Sequence, residues 1–287
     1  FLKRKNKDLE IDLDFTQALA NILVVALENK RFARRQLEQE VMKREMEIAS
    51  QVQQLLFPAT LPNTDHLKAE VTYVPHSRVG GDYYDLIASG AEKIYFCIAD
   101  VSGKGMAAAL LMSNFQAALR TLLRSNADLE TLIHQLNFTL FDLTKGERFI
   151  TFFLGEYEFA SGNLRYVNAG HNPPVLCSSE AEATEFLEAG TTILGVFESL
   201  PFLEVGKRDG LKEFTLHLFT DGLTEAMNPE EEEYGEQRFK ELAEKNKEQN
   251  PAEFHQEFRL AIDKFAKKTP FHDDLTLLSL RFSRACP

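Results

Sequence analysis

Only three cysteines occur in the 287 residues, Cys97, Cys177 and Cys286, and they lie far apart without metal-ligand spacing. An odd, scattered set excludes a disulfide framework and a Cys-rich zinc site, and is expected of plain thiols in a reducing, cytoplasmic compartment. Long apolar runs are missing too. No stretch of eighteen apolar residues occurs, and the basic opening Phe1-Leu2-Lys3-Arg4-Lys5 leads into no apolar signal segment, so no membrane-spanning segment is expected. Positive charge is short: 32 Lys and Arg stand against 44 Asp and Glu, a net charge of −12. Wrapping a phosphate backbone requires a concentrated basic face, so nucleic acid is not an expected partner. The first residue is Phe and the chain opens in a helical pattern, which leads to the expectation of a fragment of a longer protein.

From Asp14 to Phe57 there is neither Pro nor Gly, and Ala, Leu, Glu, Gln, Lys and Arg dominate. That composition predicts one long helix or two nearly fused ones. Leu23, Leu27, Leu37, Val41, Ile48 and Leu55 form a heptad-like stripe, while Lys30, Arg34, Arg44 and Gln51 fall on companion positions. Polar residues there make an imperfect coiled-coil seam with a negotiable register, as suits a helix that signals between the two chains of a homodimer. The alternative is an amphipathic helix lying on its own domain. Pro58 and Pro62 end the pattern, placing a domain boundary near residues 58–66.

Beyond it the pattern turns to strands at 69–74, 82–88, 93–101, 149–159, 164–168, 213–219 and 274–282, all rich in β-branched and aromatic residues. Helical patterns intervene at 105–124, 127–143, 236–248 and 251–267. The short connection Ser89-Gly90-Ala91-Glu92 between two strands argues for antiparallel pairing, and the whole reads as a layered α+β fold with sheets covered by helices.

Four acidic positions stand out. Asp82 follows Gly80-Gly81, Asp100 ends an apolar strand before Val101-Ser102-Gly103-Lys104-Gly105, Asp221 ends another before Gly222, and Asp273 with Asp274 opens the last strand. Any one alone reads as a turn residue. If the strand ends converge, the carboxylates share one region, where repulsion raises their pKa values unless cations lie between them. Oxygen-only donors select hard ions such as Mg2+ or Mn2+ over zinc.

The segments RVGGDYYD (78–85), IADVSGKGMAAALLM (98–112), NAGHNPP (168–174), FTDGLTEA (219–226) and HDDLTLL (272–278), with ASQVQQLLFPATLP (49–62) ahead of them, carry a specific likeness. As an ordered series the set resembles the SpoIIE and RsbU-like branch of the metal-dependent protein phosphatase (PPM, type 2C) family. The resemblance implies a sandwich of two antiparallel β-sheets with flanking helices over 59–287, a helical linker at 31–58, and the end of a GAF-like sensor domain at 1–30. It implies two divalent cations, Mn2+ or Mg2+, with Asp100 bridging, Asp221 and Asp273 completing one site, the Val101 carbonyl serving the other, and Asp82 binding directly or through water. The implied activity is hydrolysis of phosphoserine or phosphothreonine on a partner protein, a STAS-type anti-sigma-factor antagonist.

Departures are visible as well. Eukaryotic type 2C relatives carry a His two residues after the bridging Asp, where this chain has Ser102, so the general acid is open. His171 is a secondary candidate or a loop-positioning residue. Lys104 is a phosphate contact or a solvated residue. Gly81, Gly103, Gly222 and Asp274 complete the secondary set; Gly103 and Gly105 let the chain pass the metals and turn into a helix whose N-terminus favours an anion. Three rival readings remain: a catalytically silent phosphatase-like regulatory module, an adaptor whose functional part is the helix over 18–57, and a diguanylate cyclase on the strength of Gly80-Gly81-Asp82, against which Tyr83 stands where an acidic residue is needed.

Overall fold

The computed structural model describes residues 13–125, 127–178, 184–267 and 269–283. Cys286 and the first part of the expected sensor segment lie outside them. The chain divides into two compact units, with the break between Ile48 and Ala49. Helix α1, Leu13–Gln54, runs through that break. In the first unit its stripe residues Leu23, Leu27, Leu37, Val41 and Ile48 are all exposed.

The second unit is a four-layer sandwich. One sheet orders β1 (Leu67–Val74), β11 (Leu275–Ser283), β10 (Glu213–Phe219), β6 (Val175–Ser178) and β7 (Glu185–Phe186). The other orders β2 (Tyr83–Ser89), β3 (Lys93–Val101), β4 (Ile150–Glu158), β5 (Asn163–Ala169) and β8 (Gly190–Thr191), with β9 (Gly206–Arg208) also on β5. Pairing is antiparallel except for the two-residue β5–β8 match. Helices α2 (Met106–Leu123) and α3 (Leu129–Thr144) cover the second sheet; α5 (Gly235–Lys245) and α6 (Pro251–Ala266) cover the first.

This layering explains why β3 reads as an unbroken apolar run. Tyr95, Cys97, Ala99 and Val101 face α2 and α3, while Ile94, Phe96 and Ile98 face the other sheet. A strand covered on both faces has no polar side to alternate. Helix α2 spans 18 residues with a mean hydropathy of 1.2, apolar enough for a membrane span by composition. Its Ala108, Leu111, Met112, Phe115, Leu119 and Leu123 pack into the helix–sheet core instead. The predicted elements recur within one to three residues, except that the first helix ends at Gln54 and Asp221 opens a further short helix, α4 (Asp221–Thr224), rather than ending a strand.

Between α6 and the first sheet lies a buried polar chain that the sequence does not announce. Arg259 donates to Thr72 Oγ1 at 3.3 Å, Thr72 meets His255 Nδ1 at 2.7 Å, His255 Nε2 meets Ser279 Oγ at 2.9 Å, and Ser279 meets His217 Nδ1 at 2.8 Å. Passing donors along the chain from Arg259, which can only donate, leaves both imidazoles neutral. Burial pushes both histidines down to about 3. Their folded pKa lies below the unfolded value, so their contribution is complete above pH 6.5 and is lost as the pH falls toward 3. Two pH units below 6.5 correspond to about 2.5 kcal/mol per histidine. Denaturant titrations of the wild type and of His255→Gln are therefore expected to show a stability gap that narrows by about that much between pH 7 and pH 4.5. A gap independent of pH contradicts the neutral-imidazole chain.

Candidate metal centre

Both sheets deliver carboxylates to the same end of the sandwich. Asp100 sits at the C-terminal end of β3, Asp221 follows β10 in the first turn of α4, Asp273 and Asp274 precede β11, and Asp82 precedes β2. Their proximity shows in their electrostatics. Burial, then Asp221, Asp273 and Asp274, push the Asp100 carboxyl up to about 7. Burial and Asp100 hold the fully buried Asp82 well above the carboxylate range, and burial and Asp273 raise Asp221. Burial first, and repulsion between the acids second, disfavour the charged carboxylates here, a cost that a divalent cation between them would remove.

The Gly80-Gly81 loop is shaped around this cluster. A Cβ on Gly81 would lie 2.9 Å from both Asp100 Oδ1 and the Val101 carbonyl oxygen, so the absent side chain leaves these two oxygens facing one space. Asp274 belongs to the scaffold of that loop. Its Oδ1 accepts from the His76 N–H at 2.7 Å and its Oδ2 from the Gly81 N–H at 2.8 Å. Asp82 Oδ2 accepts from Thr220 at 2.8 Å and Thr276 at 2.5 Å, fixing the carboxylate between β10 and β11. On Gly222 a Cβ would collide with the Asp274 carbonyl.

Among the described residues no three carboxylate, imidazole or thiol side chains close on a single point as a ready-made cage. Asp273 is engaged elsewhere: its Oδ1 accepts from the Asp274 N–H at 2.8 Å and its Oδ2 is ion-paired with Lys104 at 2.7 Å. The oxygen-only donor set, the mutual repulsion and the space left by Gly81 nevertheless fit hard divalent ions.

Ser102 is engaged by the backbone of Phe149. Its Oγ accepts from the Phe149 N–H at 2.9 Å and its own N–H donates to the Phe149 carbonyl at 3.0 Å, tying the loop to the start of β4. Gly103 adopts φ +99°, and a Cβ there would strike the Arg148 guanidinium. His171 is buried, meets Thr151 Oγ1 at 2.8 Å through Nδ1, and keeps its Nε2 without a partner. Burial pushes it down to about 4, and a weak pull from the Phe219 backbone offsets little of this. Thr151 is the direct cross-strand neighbour of Asp100. His171 thus braces the strand beside Asp100.

Four contributors escaped the sequence reading. Gln53, in the last turn of α1, clasps Gly80 through Nε2 to the carbonyl at 2.7 Å and Oε1 from the N–H at 3.1 Å, while its Nε2 also reaches Met112 Sδ at 3.4 Å. Glu225 is a further acid at the rim, raised by burial, Asp221, Glu233 and Asp273. Thr220 and Thr276 hold Asp82. Gln53 and Glu225 lie inside recognisable segments, but only the folded arrangement shows what they touch.

The second unit has the fold of PP2C-type phosphatase domains. It superimposes on the SiaA-PP2C domain of Pseudomonas aeruginosa with a TM-score of 0.73 at 21% identity, covering 85% of this chain and 98% of that one. The family described as Stage II sporulation protein E (SpoIIE) matches residues 90–283. The chain belongs to this SpoIIE family, and by that membership it is a protein phosphatase. Phosphoserine phosphatase RsbU of Bacillus subtilis (strain 168) is 30% identical over 257 residues, 86% of this chain and 72% of RsbU. Protein IcfG of Synechocystis sp. is 26% identical over 239 residues, 74% of this chain but 37% of its own length.

Proposed function

We propose that this phosphatase removes phosphate from Ser or Thr of a partner protein in a cytoplasmic partner-switching pathway, and that its substrate is a STAS-type anti-sigma-factor antagonist. The observation that carries the reading is the cluster of carboxylates at Asp82, Asp100 and Asp221, each raised by burial and by a neighbouring acid, with Asp273 beside them, at one end of a PP2C-type sandwich. The likeness to a phosphoserine phosphatase supports the substrate class.

Asp100, Asp221, Asp273 and the Val101 carbonyl would hold two divalent cations, Mn2+ or Mg2+, with Asp82 binding directly or through water. Bound there, the ions would supply the Lewis acidity that activates water and offsets charge on the phosphoryl group. The chain's own contribution is positioning. Gln53 and Asp274 fix the Gly80-Gly81 loop, Thr220 and Thr276 orient Asp82, and His171 braces the strand next to Asp100.

The exposed stripe of α1 supports a homodimer formed through the linker, and Gln53 supports a route from that helix to the metal loop. A monomeric mass at every concentration in sedimentation equilibrium would exclude the dimer. The substrate assignment is tested by mixing a phosphorylated STAS protein with Mn2+-loaded enzyme that already turns over an aryl phosphate. Loss of the protein's phosphate is expected; retention by an enzyme shown to be active overturns the assignment.

A further inference from the structure

Lys104 is bracketed by two glycines in the left-handed region, Gly103 at φ +99° and Gly105 at φ +74°. A Cβ on Gly105 would meet nothing, so that glycine answers to conformation rather than space. The backbone so formed sends the lysine across to the segment before β11. There its Nζ donates to the His272 carbonyl at 2.9 Å and pairs with Asp273 Oδ2 at 2.7 Å. Asp273 Oδ1 is already engaged by the Asp274 N–H. Both oxygens of this carboxylate are therefore occupied, one of them by a cation the protein carries itself.

We propose that the Lys104 ammonium is a built-in counter-cation that occupies Asp273 in the metal-free protein and has to be displaced before a divalent ion can use that carboxylate. The inference rests on the metal-centre reading above. Its physical basis is the surplus of acid at this end of the sandwich, where Asp100, Asp221, Asp273 and Asp274 lie at adjoining strand ends around Gly81 and Gly222 and repel one another. A single ammonium relieves part of that repulsion in the absence of metal. The lysine side chain is 58% exposed and Asp273 38%, so the pair is worth little and yields readily to a doubly charged ion. An ammonium on a flexible stem is also a better removable cation than a guanidinium, which binds a carboxylate through two bonds. Displacement leaves the ammonium free beside the centre, where an oxyanion would find it. The two readings of Lys104 in the sequence, solvated residue and phosphate contact, become two states of one side chain.

The test uses the full chain stripped with chelator and Mn2+ alone as the probe. Calorimetric titration of Lys104→Gln is expected to show Mn2+ binding about three- to fivefold tighter than the wild type, the factor an exposed ion pair supplies. The stripped variant is expected to melt below the stripped wild type, with the difference vanishing at saturating Mn2+. Arg148→Gln, which removes a cation bonded to the neighbouring Ser102 carbonyl, separates displacement from general charge and is expected to change Mn2+ affinity by less than about twofold. Unchanged or weaker Mn2+ binding by Lys104→Gln overturns the proposal, as does equal tightening by Arg148→Gln. A wild type that takes up no Mn2+ overturns the metal centre itself and the proposal with it.

Discussion

Asp100→Asn is expected to lower turnover of an aryl phosphate in saturating Mn2+ by at least a hundredfold to a thousandfold, and Asp221→Asn by a similar factor. Those are roughly the losses that follow removal of one preorganised electrostatic partner from a site where charge develops. The argument for Asp100 is positional. It stands on the central hairpin strand β3, its carboxyl shares the Gly81 space with the Val101 carbonyl, and its pKa responds to three other aspartates at once. The amide is nearly isosteric, so the fold should survive. Removing one of several repelling acids should even raise the melting temperature of the stripped protein. Steady-state kinetics read the first effect and thermal unfolding the second; an Asp100→Asn enzyme within tenfold of wild type would remove Asp100 from the centre.

The second large effect is on stability and lies away from the metals. The second Asp of the segment Gly80-Gly81-Asp82-Tyr83-Tyr84-Asp85 is fully buried, and it accepts from the Tyr83 hydroxyl at 2.6 Å, the Leu86 N–H at 2.9 Å, and Arg120 Nε and Nη2 at 2.8 and 3.0 Å. Arg120 belongs to α2, so this bidentate pair seats the helix on the edge strand β2. Replacing Arg120 by Met leaves a buried carboxylate without its cation, a change that costs about 3–5 kcal/mol in fully buried pairs. Arg120 is 40% exposed, so water screens part of the loss and the expected cost is near 3 kcal/mol. Urea unfolding measures it, and Arg120→Met with Asp85→Asn should recover part of the loss, because no charge is then stranded and the amide oxygen can still accept from the Tyr83 hydroxyl or the Leu86 N–H. A double variant as unstable as Arg120→Met alone would mean that packing, not the ion pair, fixes α2.

These two sites show what was legible in the sequence and what was not. The strands β3 and β10 were readable to the residue, β3 as an apolar run buried on two faces and β10 because Phe214, Leu216 and Leu218 alternate with Thr215 and His217. The strands β7, β8 and β9, of two or three residues, carry no periodicity to detect and exist because β5 and β6 offer edges to pair with. The four acidic motifs could be singled out, since each places an Asp at the end of a strand pattern, three of them with Gly close by and the fourth as the pair Asp273-Asp274. Telling Asp273 from Asp274 could not be done in the same way. They are adjacent and chemically identical, and only their partners separate them: an ammonium on one, the backbone N–H groups of His76 and Gly81 on the other. Gln53 is similarly silent in sequence, one glutamine among several in a helix, until its amide is found on Gly80.

Hydrolysis of para-nitrophenyl phosphate by the purified chain, stripped with chelator and then supplied with Mn2+ or Mg2+, tests the central claim most directly. Turnover that is absent in the stripped protein and appears with the added ion is the predicted result. Turnover that persists in chelator would contradict a metal-assisted mechanism at Asp100, Asp221 and Asp273, and absence of turnover with every ion, in a protein that binds Mn2+, would make the chain a silent regulatory module of its family.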